Sequence, residues 1–219
     1  RSSDDPYVHF SGLTVPVVID GYSQPGSQTN GSGPTFGVSD PQETDVAVLM
    51  VEVDGSQIGG IGTIGLTIAA QNCTVDGLII TGFSGAGIAL QSPAIVVAGV
   101  PGDTIWGNFI GVTQFNPHGF NPVAPTTNLS ANGVGILIAS SNNVVGGSAP
   151  SFRNVIQGNT GNGVLLYGTQ GTGNTLASNF ILDNGGDGVL VLSASNRIGQ
   201  AVGQGPAGGG NVISGNHAN

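Results

Sequence analysis

The sequence predicts an all-β protein, a parallel β-helix in which three short strands make up each coil of about 25 residues. Three observations predict this fold class. Glycines recur before short apolar runs, asparagines recur between those runs, and no segment shows the capped 3.6-residue apolar stripe of a helix. Because strands this short cannot enclose a core within one coil, stacked coils must do so, and the prediction is a single-stranded solenoid.

Four strands that each begin with glycine define the repeat, and their glycines are Gly87, Gly135, Gly163 and Gly188. The first interval is nearly twice the last one, so insertions must lengthen some coils. In each strand the first and third residues after the glycine should point inward, and the residue between them outward. The outward residues form an apolar row, a candidate association face: Ala89, Leu137, Leu165 and Leu190. An exposed apolar row promotes association, so we expect an insertion loop or a partner, such as another copy, to cover it.

A second repeated unit consists of an apolar residue followed three positions later by asparagine. Asparagines at coil corners can hydrogen-bond their counterparts in neighbouring coils and form a ladder. The asparagines predicted at corners are Asn108, Asn159, Asn179, Asn184 and Asn216. Cys73 is the only cysteine, which excludes an internal disulfide, and we expect it to pack as a small apolar residue.

The chain divides into two regions. Residues 1–60 are less regular and are predicted to form an N-terminal cap or first coil with a long polar loop. Residues 61–219 are predicted to form the coils, with an insertion loop at about 113–132. The repeat spacing places the next glycine-led strand just after the last residue, so the last coil is expected to be incomplete.

The charge balance excludes several classes of partner. Twelve acidic residues face three arginines and no lysine, which gives a formal net charge of −9. No basic stripe can therefore neutralise nucleic-acid phosphates or anionic lipids, and no apolar stretch is long enough for membrane insertion. Few charges and abundant glycine, serine, threonine and asparagine favour an extracellular or cell-surface location.

Several segments together carry a resemblance to a known family. They are the run from Ile19 to Gly26, the glycine-led strands, and the segments 143–147 and 154–159. From about Val15 to its end the chain resembles secreted bacterial right-handed parallel β-helix repeat proteins of the pectin-lyase-like superfamily. The resemblance implies a right-handed coil and leaves the activity open, since many such chains have no assigned chemistry.

Enzymes on this fold require residues that the sequence does not readily supply. Lyases that cleave uronic-acid polymers need a basic residue and cations for an acidic sugar, and this chain is acidic and lysine-free. Hydrolases on this fold use carboxylates on neighbouring coils. Asp183 and Asp187 lie close together in one turn, while Asp76 and Asp103 have no carboxylate partner at matching repeat positions. No catalytic residue is therefore predicted.

Asp183 and Asp187 have two possible roles. In a glycine-rich corner they can stabilise the turn, and together with backbone carbonyls they can hold a structural calcium ion. No other cofactor is predicted. In the insertion loop, Phe115, His118 and Phe120 can either stack on a sugar ring or fold back and bury one another.

Two functions remain as hypotheses. The first is a non-catalytic extracellular structural or adhesive segment that self-associates through open coil ends or the apolar outward face. The alternative is a carbohydrate-active enzyme, a polysaccharide lyase or hydrolase, or a fragment that binds cell-surface polysaccharide.

Overall fold

The computed structural model describes residues 12–29, 47–112, 131–199 and 210–218, and these residues form short β-strands with one turn of 3-10 helix at Pro150–Phe152. The strands in chain order are β1 (Val18–Asp20), β2 (Val51–Asp54), β3 (Leu66–Ile68), β4 (Thr74–Asp76), β5 (Leu78–Thr81), β6 (Ala86–Leu90), β7 (Thr104–Trp106), β8 (Phe109–Ile110), β9 (Val134–Ile138), β10 (Val144–Gly146), β11 (Val155–Gln157), β12 (Val164–Leu166), β13 (Thr175–Ala177), β14 (Phe180–Leu182), β15 (Val189–Val191), β16 (Arg197–Ile198) and β17 (Val212–Ser214).

The strands form three parallel sheets. Sheet I has the order β1-β4-β7-β10-β13-β16, sheet II the order β2-β5-β8-β11-β14-β17, and sheet III the order β3-β6-β9-β12-β15. Neighbours within a sheet are three strands apart in the chain, so the chain visits each sheet in turn and returns one layer further along. This stacking is consistent with the predicted parallel β-helix. The chain between paired residues is nearly twice as long from Ile88 to Ile136 as from Val164 to Val189, so the layers differ in length.

The core consists of columns of inward side chains, one residue from each layer. In sheet III, Ile88 and Leu90 of β6 are fully buried, as are the residues paired with them in β9 and β12. The glycine before each such strand leaves no space for a side chain. A Cβ at Gly163 would lie 2.7 Å from both the Gly188 carbonyl oxygen and Ile181 Cγ2. Glycine is therefore required where this strand passes close to the next layer.

Three columns of corner side chains connect the layers by hydrogen bonds. Where two neighbouring corner residues are both asparagines, the Oδ1 of the later one accepts the side-chain amide of the earlier one at 2.8–3.1 Å. In most of these pairs it also accepts the backbone N–H of the earlier residue. Corner A contains Asp103, Asn143, Asn174 and Asn196. Corner B contains Asn108, Asn154, Asn179 and Asn211. Corner C contains Asn132, Asn159, Asn184 and Asn216.

The asparagines predicted at corners thus lie in two columns, Asn108 and Asn179 at corner B and the other three at corner C. Each column begins at an apolar residue, which takes the place of an asparagine. The backbone N–H groups of these residues donate to the side-chain Oδ1 of the next member of the column, Cys73 to Asp103, Leu78 to Asn108 and Phe83 to Asn132. Cys73 itself is buried in the core.

Candidate functional site

Two carboxyl groups lie side by side on neighbouring layers of sheet I. Asp20, at the end of β1, is the register partner of Asp76, at the end of β4. The prediction that Asp76 lacks a carboxylate partner is therefore wrong. The partner comes from the irregular first layer, and the repeat spacing of the later coils does not extend to it.

The two carboxyl groups differ in their surroundings. Asp20 is exposed, and its Oδ1 accepts the backbone N–H of Ser23 at 2.9 Å, which closes a tight turn. Asp76 is only 3% exposed, and its Oδ1 has no hydrogen-bond partner. Burial raises the pKa of Asp76 to about 7, and the hydrogen bond and negative charge of Asp20 add to this effect. Near neutral pH and below, Asp76 holds a proton that it donates to Asp20.

Aromatic rings adjoin the carboxyl pair. Trp106 of β7 is the register partner of Asp76 in the adjacent strand β4. The Tyr22 ring stacks on Trp106, with centroids 5.5 Å apart, and Phe152 meets Trp106 edge to face at 5.2 Å. The Tyr22 hydroxyl donates to the Gly107 carbonyl at 2.7 Å, so the turn after β1 is fastened to the layer beyond β4.

A glycine allows Tyr22 to approach this closely. Gly107 has a φ of +66°, and a Cβ there would lie 2.6 Å from the Tyr22 hydroxyl oxygen. Glycine adopts this conformation without strain and leaves the space that the ring occupies. The Asp20–Asp76 pair and the rings of Tyr22, Trp106 and Phe152 form one cluster, which we call the acid–aromatic cluster.

The spacing of the two carboxyl groups limits their chemistry. Glycosidases place their two carboxyl groups about 5–5.5 Å apart when they retain configuration and about 6.5–9.5 Å apart when they invert it. Asp20 and Asp76 are register partners on adjacent strands, and the Asp20 carboxyl group contributes a hydrogen bond and a negative charge that help to raise the pKa of Asp76. Such an arrangement favours a proton shared between the two groups over two carboxyl groups held on either side of a glycosidic bond.

The predicted association face is brought into one line across sheet III. Ala89 pairs with Leu137, Leu137 with Leu165, and Leu165 with Leu190. Ala89 is 0% exposed, so this end of the row is covered within the chain and is not available to a partner. The three leucines are half-buried.

The candidate calcium ligands occupy the turn after β14. Asp183 is exposed, and its Oδ2 accepts the side-chain amide of Gln157 at 2.9 Å. Asp187 is half-buried, and its backbone N–H donates to Asn162 Oδ1 at 2.8 Å. Within the described ranges, no three His, Cys, Asp or Glu side chains come together in a way that could hold a metal ion. The candidate sugar-contacting residues Phe115, His118 and Phe120 lie outside the described residues.

The last layer exposes side chains that belong to the core columns. Val191, Ile198 and Ile213 are 42%, 41% and 45% exposed. Their register partners one layer earlier, Leu166, Leu176 and Ile181, are each 0% exposed. Together with Asp187, Gly188, Val189 and Ala218 they line a depression of about 230 Å³, which we call the terminal coil face.

Comparison with known proteins gives no match, whether to a family model, a curated protein or a solved structure. Among the residues that the structure describes, there is no helix of the length and apolarity needed to cross a membrane.

Proposed function

We propose that this chain is a non-catalytic structural segment that associates with a second copy of itself through the terminal coil face. One observation carries the proposal. Val191, Ile198 and Ile213 continue columns whose neighbouring inner members are fully buried, so they present an apolar surface of the same kind as an internal layer boundary.

The terminal coil face also offers hydrogen bonds. The edge strands β15, β16 and β17 pair with an inner neighbour on one side, and such an edge is a template for a further strand. A second copy carries the same edges and the same apolar residues, so two such faces can pair about a two-fold axis. Covering three half-exposed apolar side chains contributes about 1 kcal/mol each. Strand pairing must therefore supply much of the affinity, and we expect association that depends on concentration.

Sedimentation velocity over a range of protein concentrations tests the proposal. The wild type should increase in mass with concentration, and Ile213→Ser should shift it toward the monomer by making the face polar. Ile61→Ser is the matched control, because Ile61 is fully exposed and lies away from the terminal coil face. A wild type that stays monomeric, or an equal effect of both substitutions, would contradict the proposal.

Carbohydrate contact is the second candidate function, and the acid–aromatic cluster favours it. Aromatic faces stack on sugar rings, and carboxylates accept hydrogen bonds from sugar hydroxyls. Incubation with neutral and acidic polysaccharides tests this candidate by measuring retained protein and released product. Product that disappears in Asp76→Asn would overturn the non-catalytic proposal, whereas the lack of both binding and product would eliminate this candidate.

Finer features belong to the same proposal. The coil is right-handed, as the resemblance to pectin-lyase-like repeat proteins implies, and about 25 residues long without insertions, as the separation of Asn159 and Asn184 indicates. The segment acts outside the cell or at its surface and binds neither nucleic acid nor the membrane interior. It requires no cofactor, and Asp183 and Asp187 either stabilise their turn or hold a structural calcium ion. A chelator that lowers the melting temperature, with recovery on adding calcium, would support the calcium site.

A further inference from the structure

Corner A contains a carboxyl group where the other rungs carry an amide. Asp103 lies between Cys73 of the preceding layer and Asn143 of the following one. It is 1% exposed. Two of its hydrogen bonds follow the regular pattern of the column. The Asp103 backbone N–H donates to Asn143 Oδ1 at 2.8 Å, and the side-chain Oδ1 of Asp103 accepts the Cys73 N–H at 2.9 Å.

The second carboxyl oxygen of Asp103, Oδ2, corresponds to the Nδ2 donor of an asparagine in the same column. In Asn143 and Asn174 the corresponding Nδ2 donates to the Oδ1 of the next rung, at 2.8 and 3.0 Å. Asp103 Oδ2 is buried and has no hydrogen-bond partner. An ionised carboxylate only accepts hydrogen bonds, whereas a protonated one has a single O–H donor. Only the protonated form can therefore reproduce the hydrogen bond of an asparagine rung.

The described neighbours of Asp103 supply no counterion. Beside the carboxyl group is a cavity of about 10 Å³ whose other lining residues are all uncharged, with Gln71, Ser140, Ser141 and Asn143 among the polar ones. From the preceding layer, the titratable group facing Asp103 is the Cys73 thiol, whose pKa is raised, mainly by burial. The following layer presents the uncharged Asn143. Burial raises the pKa of Asp103 to about 6, against the lowering effect of its hydrogen bonds from Cys73.

We propose that Asp103 is a proton-dependent rung, which in acid completes the corner A ladder by donating to Asn143 Oδ1 and on ionisation loosens the junction between β7 and β10. Ionisation leaves Asp103 Oδ2 as a buried carboxylate oxygen without a donor, while Asn143 Oδ1 keeps only the hydrogen bond from the Asp103 N–H. The proton thus controls the contact between two specific layers of the solenoid.

The matched variants are Asp103→Asn, which supplies the missing donor, and Asn174→Asp, which introduces the same defect further along corner A. Urea unfolding from pH 4 to pH 8 should show the wild-type folding equilibrium constant falling relative to that of Asp103→Asn by about a hundredfold, most of it below pH 6.5. Asn174→Asp should add a fall of the same sign. Equal pH profiles for the wild type and Asp103→Asn would overturn the proposal.

Two local measurements test the wild type directly. The side-chain carboxyl ¹³C resonance of Asp103 should titrate near pH 6, and a midpoint near 4 would contradict a buried proton-dependent rung. The Asp103 and Val144 amides, which bond to Asn143 Oδ1 and to the Asp103 carbonyl, should lose protection above pH 6 in the wild type but not in Asp103→Asn. Equal loss in both proteins would show that the junction does not respond to this proton.

Discussion

Two conditions act on the Asp76 carboxyl group. It is only 3% exposed, and it hydrogen-bonds to a second carboxyl group, that of Asp20. Each condition favours the protonated form, and among the residues that the structure describes no arginine opposes this rise in the pKa of Asp76. Arg153 is instead buried, with its guanidinium carbon 4.0 Å from the centroid of the Phe180 ring. The Asp20–Asp76 pair therefore connects the first two layers of sheet I only while it holds its proton.

Asp76→Asn should flatten the pH dependence of stability. The pKa of Asp76 is raised from 3.8 to about 7, so the native state retains a proton that the unfolded chain has released. The free energy of unfolding should thus fall as the pH rises from about 4 to about 7 and then level off, by at most about 4 kcal/mol for this group. Asparagine keeps a donor toward Asp20 without titrating. Urea unfolding from pH 4 to pH 8 measures the difference.

Asp54→Asn provides the control for this substitution. Asp54 is exposed and bonds to Ser56 within its own turn, so the fall in stability that Asp76 produces should persist in Asp54→Asn. If Asp76→Asn retained the full fall in stability, the fall would have to arise elsewhere and the shared proton would be refuted.

Sequence reasoning predicted a ladder of asparagines between coils but not its division into three separate columns. Asn174, Asn179 and Asn184 are evenly spaced, and Cys73, Leu78 and Phe83 repeat the same interval. That spacing marks the three corners of one coil, and it was a signal available in the sequence. Insertions such as the long one between Asn108 and Asn132 obscure it elsewhere. The acid at position 103 was equally hidden, because a corner is defined only by its partners in the layers above and below.

At the scale of elements, the corner columns should matter most in the interior of the stack. Asn184→Ala removes the acceptor of the Asn159 N–H and Nδ2 groups, at 3.1 and 2.9 Å, in a fully buried site. Leaving such groups unpaired costs about 1–3 kcal/mol each, so we expect a loss of about 2–4 kcal/mol. Chemical unfolding with matched m-values measures it.

Asn216→Ala is the matched variant at the end of the same column. Asn216 makes the equivalent bonds to Asn184 but is half-buried, so water can replace part of what is lost. Its cost should be about 1 kcal/mol. Equal costs at both positions would show that burial does not determine the strength of a rung.

The strands show a similar limit of sequence reasoning. The repeat of glycine and apolar residues was enough to predict β6, β9, β12 and β15 and their inward residues, because neighbours on a strand alternate in direction. It could not predict that Ala89 is covered while Leu165 remains half-buried. Burial of an outward residue depends on segments distant in the chain, and no local pattern encodes them.

As a whole molecule, the stack is less buried in its outer described layers than in its interior. Ile19 and Val53 of the first layer are half-buried, and Val191 and Ile213 of the final described layer are 42% and 45% exposed. In a solenoid each layer contacts its neighbours alone, so stability should vary along the stack. The regular coils could be predicted from spacing, but the pairing of β1 with β4 could not, because the first layer does not follow the repeat.

Hydrogen exchange should therefore show a gradient. Amides of β9 and β12, which have a paired strand on each side, should exchange most slowly, and those of β16 and β17 fastest in dilute protein. If the terminal coil face binds a second copy, protection of β15, β16 and β17 should increase with protein concentration while β9 stays unchanged. Uniform exchange along the stack would contradict the layer-by-layer description.

The corner asparagines have a consequence for how such a chain can change in length. The segment from corner A to corner B is three times as long at Asn196–Asn211 as at Asn174–Asn179, and in both cases the rungs keep their bonds to the adjacent layers. The corner asparagines restore the register between neighbouring layers after each inserted segment. A foreign peptide inserted between two corner residues should therefore leave the register of the flanking layers unchanged and be displayed at a defined layer of the stack. These corners are suitable positions for grafting peptides.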